Sequence, residues 1–252
     1  MALLSDIEHH LNQVLDKDAI ADYTPNGVQV RGCPQVDRVV TGVSASLALF
    51  QAAVSQQAQL VIAHHGLIWD KEVKIVEGSY KQRLKLLLDH DISLLSYHLP
   101  LDRHPQLGNN AQILHRLGLA TGEPFGKYRG IYLSRLGHWS PGKEIQEVVT
   151  LVNKVFGGLT HLLPFGSQTI QTVAICSGGA PELIFEALQA KADLFLVGEA
   201  SEPLYHIARE EKINVIAAGH HRTERFGVMA LGELLETTFG VQHHFVDSDN
   251  PV

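Results

Sequence analysis

Five residues of the types that bind divalent cations stand just beyond apolar runs: His64, His65, Asp102, His220 and Glu224. Imidazole with carboxylate is a donor set for Zn, Mn, Fe or Ni. The two cysteines, Cys33 and Cys176, have no CxxC partner that would add thiolate. His64 and His65 are adjacent, so an extended strand sends them to opposite faces. Gly66 permits the turn that would bring both to one site, and adjacent imidazoles could then address two neighbouring ions. Asp102 or Glu224 could bridge such a pair, since a carboxylate has two donor oxygens. Two ions about 3.5–4 Å apart polarise a substrate and lower the pKa of bound water. The chemistry these residues suit is therefore water activation. His98, four residues before Asp102, suits proton transfer, because imidazole as a residue type titrates near neutrality.

Each motif alone has a plainer reading. His64-His65-Gly66 could be a surface loop. Gly219-His220 to Glu224 could be a helix N-terminus that Thr223 or Glu224 helps to cap. What favours chemistry is recurrence. Four predicted strands end on polar groups: His64-His65, His98 to Asp102, Glu199, and His220 to Glu224. In open parallel sheets ligands bind beyond the carboxyl ends of strands.

The elements that would hold these ends alternate. Ser5 with Glu8 reads as a capping box opening a helix to about Leu15. Pro25-Asn26-Gly27 is a turn before a short strand at Val28 to Val30. Strands are predicted at Val39 to Val43, Leu60 to Ala63 and Ile92 to Tyr97. Helices are predicted between them at Ser46 to Gln56, with Leu47, Phe50 and Val54 on one face, and at Tyr80 to Asp89. The second half repeats the order, with strands at Thr172 to Cys176, Leu194 to Val197 and Ile213 to Ala218. Its helices are Pro181 to Gln189 and Pro203 to Glu211. Strand–helix alternation implies right-handed crossovers and mostly parallel sheets. The halves also align: Gly42-Val43-Ser44 falls on Ile175-Cys176-Ser177, and His98 to Asp102 falls on His220 to Glu224. The expectation is an α/β protein of two similar lobes from an internal duplication, with the metal site between them. The bounds are 1–120 for the first lobe, 121–167 for a small inserted α/β element, and 168–252 for the second lobe. The insert has strands at Gly130 to Gly137 and Thr160 to Phe165, and a helix after Ser140-Pro141.

Composition agrees and excludes little more. Apolar residues make up 45% of the 252, enough for a sizeable core. Acidic residues exceed basic ones, 27 to 20, which disfavours a long nucleic-acid surface while leaving a local basic patch open. No run approaches the ~20 apolar residues of a membrane span. The start, MALLSDIEHH, does not read as a signal peptide, so a cytoplasmic protein is expected. There is no phosphate-binding glycine loop and no Gly-x-Ser-x-Gly elbow. His9-His10 reads as a solvated helix face and His243-His244 as part of a strand with alternating exposure.

Taken together, Asn26-Gly27-Val28-Gln29-Val30, Ala63-His64-His65-Gly66, Tyr97-His98-Leu99-Pro100-Leu101-Asp102, Gly219-His220 and Thr223-Glu224, with Phe245-Val246-Asp247 and Asn250-Pro251-Val252, resemble the NIF-three-like dinuclear metal centre proteins, also labelled GTP cyclohydrolase 1 type 2 homologues. The resemblance runs nearly end to end. It implies two divalent ions per chain on His64, His65, Asp102, His220 and Glu224. It places His98 close by, as a supporting or proton-transfer group. It also implies a toroidal homohexamer with the metal sites facing an internal cavity. The function expected is a metal-dependent hydrolase acting on a small molecule such as a nucleotide. A non-catalytic ring-forming adaptor and a phosphodiesterase or nuclease are the alternatives. His221 and Glu199 have no assigned role.

Overall fold

The computed structural model describes residues 1–71, 75–158 and 160–252. The chain is α/β and divides into two compact units. One holds Met1–Leu101 and Gly227–Asp249, the other Asp102–Phe226 and Asn250–Val252.

The first unit is built on five strands, in spatial order Gln242–Phe245, Arg38–Ser44, Leu60–His65, Ser93–Ser96 and Gly27–Val30. The first four run parallel and the last is antiparallel. The three central strands are nearly continuous apolar runs buried on both faces, as parallel strands covered by helices must be. Val40, Val61, Ala63 and Leu94 pack with Leu49, Phe50 and Ala53 of the helix Leu47–Ser55 and with Leu87 of the helix Gly78–Asp89. Ser46 caps the first of these helices by accepting from the Leu49 N–H at 3.2 Å. Its buried face is Leu49, Phe50 and Ala53, one step round from the Leu47, Phe50 and Val54 expected. The expected capping box at Ser5 does not form. The helix Leu4–Val14 starts two residues earlier than a cap at Ser5 would set it, and the Ser5 hydroxyl turns to Asp6. Burying Leu4 with Ile7 and Leu11 sets that start, and Pro34 accepts from the Leu4 N–H in place of a side-chain cap.

The second unit has six strands, in the order Ala120–Tyr128, Ile131–Glu144, Thr169–Cys176, Leu194–Val197, Asn214–Ala217 and His161–Pro164. Only the middle three run parallel, so this sheet is mixed. Its core includes Phe125, Leu136, Leu163, Phe195, Val197 and Val215. The stretch expected as a separate insert, 121–167, supplies three strands of this same sheet. Ser140-Pro141 lies inside a 14-residue strand, and the helix follows only at Ile145–Phe156. The compact units therefore cut the chain differently from the 1–120, 121–167 and 168–252 expected. Residues 102–120 belong with the second unit, and 227–249 return to the first, where Gln242–Phe245 pairs with Arg38–Ser44.

The two sheets share a pattern. Each has three parallel strands joined by helices, with an antiparallel strand beside the third, and that edge strand comes earlier in the chain. Among the described residues no helix is long and apolar enough to cross a membrane.

Candidate metal centre

In the first unit, register creates the site. Ala63 pairs with Ser96, so His64 and His65, the last residues of their strand, lie alongside Tyr97 and His98. No turn at Gly66 is needed to bring the rings together. The strand stays extended through His65, yet the His64 and His65 rings are 4.8 Å apart, and both lie near His98, at 5.0 and 5.6 Å. One ring nitrogen from each of the three lies within 4.8 Å of the others.

Two of the rings are aimed by hydrogen bonds. His64 is fully buried, and its Nδ1 is 2.9 Å from the Tyr97 carbonyl. A carbonyl only accepts, so Nδ1 carries the proton and Nε2 of the neutral ring carries the lone pair a metal needs. His98 Nδ1 lies 3.0 Å from Asp22 Oδ1, with both side chains buried. Asp22 also accepts from the Leu99 and Tyr23 N–H groups and from Asn26. Burial alone would raise the Asp22 pKa. The His98 hydrogen bond and charge, with the Asn26 and Leu99 donors, outweigh it and hold the carboxyl below its usual range. Asn26 Oδ1 in turn accepts the His98 N–H. His65 has the longest of these contacts, Nδ1 to Ser44 Oγ at 3.2 Å.

In the second unit, His220, Glu224, Glu199 and Asp102 line the ends of the parallel strands. His220 opens the short helix His220–Thr223 and Glu224 caps its end. His220 Nδ1 is 2.6 Å from Glu199 Oε1, while its Nε2 is 3.1 Å from Glu224 Oε2. Burial disfavours charge on His220, but Glu224 and then Glu199 overcome it and push the pKa up to about 9. Two donors each about 2.1 Å from one ion lie roughly 3–4 Å apart, so the Nε2–carboxylate spacing suits a shared cation. Asp102 is 7% exposed, and its Oδ1 accepts from Asn109 at 2.9 Å and from Ser177 Oγ at 3.2 Å. The loop after Cys176 runs close against this group. Gly178 has φ +69, and a Cβ there would overlap the Glu224 carboxylate. Cys176 is no ligand candidate, since burial, then the charges of Asp102 and Glu224, push its thiol pKa far up.

The donor chemistry thus fits a divalent ion in both units: buried, oriented imidazoles in one, an imidazole–carboxylate pair in the other. Glu199, left without a role by the sequence, is the carboxylate that orients His220. Asp22 was missed altogether, because an acid in a turn-rich segment looks solvated until the fold buries it. His221 N–H donates to the Val252 carbonyl. His9 is exposed, His243 Nε2 meets Thr41 Oγ1 at 2.8 Å, and His104 Nδ1 accepts from Gln106 and Leu107.

The family model for Duf34/NIF3 (NGG1p interacting factor 3) matches residues 2–251. The chain belongs to the Duf34/NIF3 family. A Pseudomonas aeruginosa relative named GTP cyclohydrolase 1 type 2 homolog is 45% identical over 250 residues, covering 98% of each chain. A Yersinia pestis relative of the same name is 41% identical, again over 98% of each. Among solved structures, protein ybgI, described as of unknown function, aligns over both full chains with TM-score 0.95 and 38% identity. A Thermus thermophilus protein, TTHA1606, does so with TM-score 0.92 and 32% identity. The Duf34/NIF3 match thus covers both units and every candidate ligand.

Proposed function

We propose that His64, His65, Asp102, His220 and Glu224 together hold two divalent ions in one centre, and that this centre hydrolyses a small-molecule substrate. The observation that carries the reading is the matched orientation of two imidazoles. His64 Nδ1 rests on the Tyr97 carbonyl and His220 Nδ1 on Glu199, so in each ring Nε2 is the nitrogen turned to the donor cluster of its own unit. Relatives carry the name GTP cyclohydrolase 1 type 2 homolog, which makes hydrolytic opening of a purine nucleotide ring the first reaction to test. The strand order common to the two units supports their origin in a duplication. A homohexameric ring is proposed on family resemblance.

Bound divalent ions would bring the pKa of a coordinated water toward about 7. This chain's own task is to place donors and manage protons. Ring opening adds water at a ring carbon, breaks a C–N bond and leaves a ring nitrogen that needs a proton. His98 can give that proton from Nε2, because Asp22 holds Nδ1 and stabilises the imidazolium before transfer. Asn109 and Ser177 hold the Asp102 carboxylate in place for a ligand role.

The decisive experiment is a metal-loaded activity screen over nucleotides, phosphodiesters and cyclic amides, with metal content measured on every sample. His98→Asn should keep both ions and lose roughly 100-fold or more in turnover. If metal occupancy collapses instead, His98 is a ligand, as its closeness to His64 and His65 would allow, and the general-acid assignment fails. Glu224→Gln should abolish turnover. A protein that turns over nothing in the screen while holding its metals supports the adaptor reading, and turnover confined to phosphodiesters supports the nuclease reading.

A further inference from the structure

Beside the three histidines, the first unit carries two large aromatic side chains that water activation does not require. The Tyr23 ring stands edge-on to His98, 5.1 Å away at 75°, and the Trp69 ring stands edge-on to the same imidazole, 5.5 Å away at 78°. Trp69 is also 5.8 Å from His65. The two aromatics are 5.6 Å apart and tilted by only 32°. Neither is a core residue. Tyr23 is 40% exposed and Trp69 is half-buried.

Both sit on loops, yet the loops are stitched together. Thr24 Oγ1 donates to the Ile68 carbonyl at 2.7 Å, and Asp70 N–H to the Tyr23 carbonyl at 3.0 Å. Gln29 Oε1 accepts from both Leu67 and Ile68, while its Nε2 donates to the Pro25 carbonyl. A Cβ at Gly66 would overlap the Gln29 amide, so the fit is close. The Trp69 indole N–H is already used on the Gly66 carbonyl at 3.1 Å. What Trp69 can still offer a ligand is therefore its π-face and not a hydrogen bond. Rigid aromatic faces bind planar rings at low entropy cost, with little preference among ring types.

We propose that Trp69 and Tyr23 form a subsite that receives the planar heteroaromatic ring of the substrate against the histidine cluster. The inference rests on the hydrolytic reading of that cluster. The recognised class is a flat π-system, and saturated rings and bare sugar phosphates are not retained there.

The test uses full-length, metal-loaded protein and two probes that differ by the ring: guanosine 5′-monophosphate and ribose 5-phosphate. Calorimetric affinities are measured for the wild type, Trp69→Phe and Trp69→Leu, with metal content in parallel. The wild type should bind the nucleotide more tightly than the sugar phosphate. Trp69→Leu should lose about 10-fold or more for the nucleotide alone, while Trp69→Phe keeps most of it and metal content stays constant. The subsite is overturned if Trp69→Leu binds the nucleotide like the wild type, if it loses metal, if both probes weaken together, or if the wild type does not prefer the nucleotide. Ring-dependent binding without any turnover would keep the subsite and refute the hydrolase. Turnover with Trp69→Leu unimpaired in nucleotide affinity would do the reverse.

Discussion

Asp22 and Glu199 do comparable work in the two units. Each accepts from the Nδ1 of a histidine and so fixes the direction in which that ring presents Nε2, for His220 toward Glu224. Such outer carboxylates typically contribute 10–100-fold to metal affinity or activity. Glu199→Gln should therefore weaken metal binding by roughly that factor, read by competition against a chromogenic chelator. Unchanged affinity would reduce the His220–Glu199 contact to a surface ion pair. Gly178 offers a different test. Alanine there must take a left-handed backbone and place a methyl group on the Glu224 carboxylate. Gly178→Ala should lower metal occupancy more than thermal stability, and a variant that holds its full metal complement would separate that loop from the centre. Of these residues the ligand candidates were legible as types at strand ends. Asp22 was not, because its partner His98 is 76 positions away and nothing local distinguishes it from the solvated Asp and Asn of an ordinary turn.

Elements were legible where local chemistry agreed with packing. The helix expected from Ser46 to Gln56 forms with Ser46 as its cap, so Ser46→Ala should cost about 1 kcal/mol in denaturant unfolding. Ser5 looks like a cap and is not, because burying Leu4 moves the helix start. The strand Gln242–Phe245 shows the alternating exposure its sequence suggests. It also carries a titrating group into the first unit. Burial lowers the His243 pKa, against the raising charges of Glu236 and Glu233 and with a smaller lowering contribution from His244. A depressed histidine pKa means the unfolded chain binds more protons than the native one below about pH 6.5, so stability falls as pH falls through that window. The melting temperature should drop between pH 7 and 5, with a His243 contribution of at most about 1.4 kcal/mol per pH unit. His243→Gln should flatten the curve, and an equally steep curve in the variant would place the dependence elsewhere.

For the whole molecule, a metal that binds the native chain and not the unfolded one links metal binding to folding. Chelator-treated protein should melt below the metal-loaded form, with a difference of about 2.7 kcal/mol when free metal is 100 times its Kd. Equal melting curves would refute a metal centre of this kind. A ring of six should give a light-scattering mass about six times the 27.7 kDa of the chain, and a monomer in solution at working concentrations would refute the assembly.

The order of strands and helices, the fold class and the donor types follow from local features: apolar runs of strand length, periodic helix faces, glycine and proline at turns, and imidazole and carboxylate beyond the runs. Those features are encoded within a few residues of where they act. Which side chains meet is decided elsewhere. The Ala63–Ser96 register sets His64 beside Tyr97, the return of 227–249 completes the first unit, and 121–167 joins a sheet where an insert was expected. Asp22 reaches His98, and Trp69 reaches His65 and His98, through loops held by Gln29 and Thr24. Each of these depends on strand pairing and loop packing between distant segments. Hydrophobic periodicity carries no record of such pairing, because the same alternation is compatible with many strand orders and registers until the chain closes into one of them.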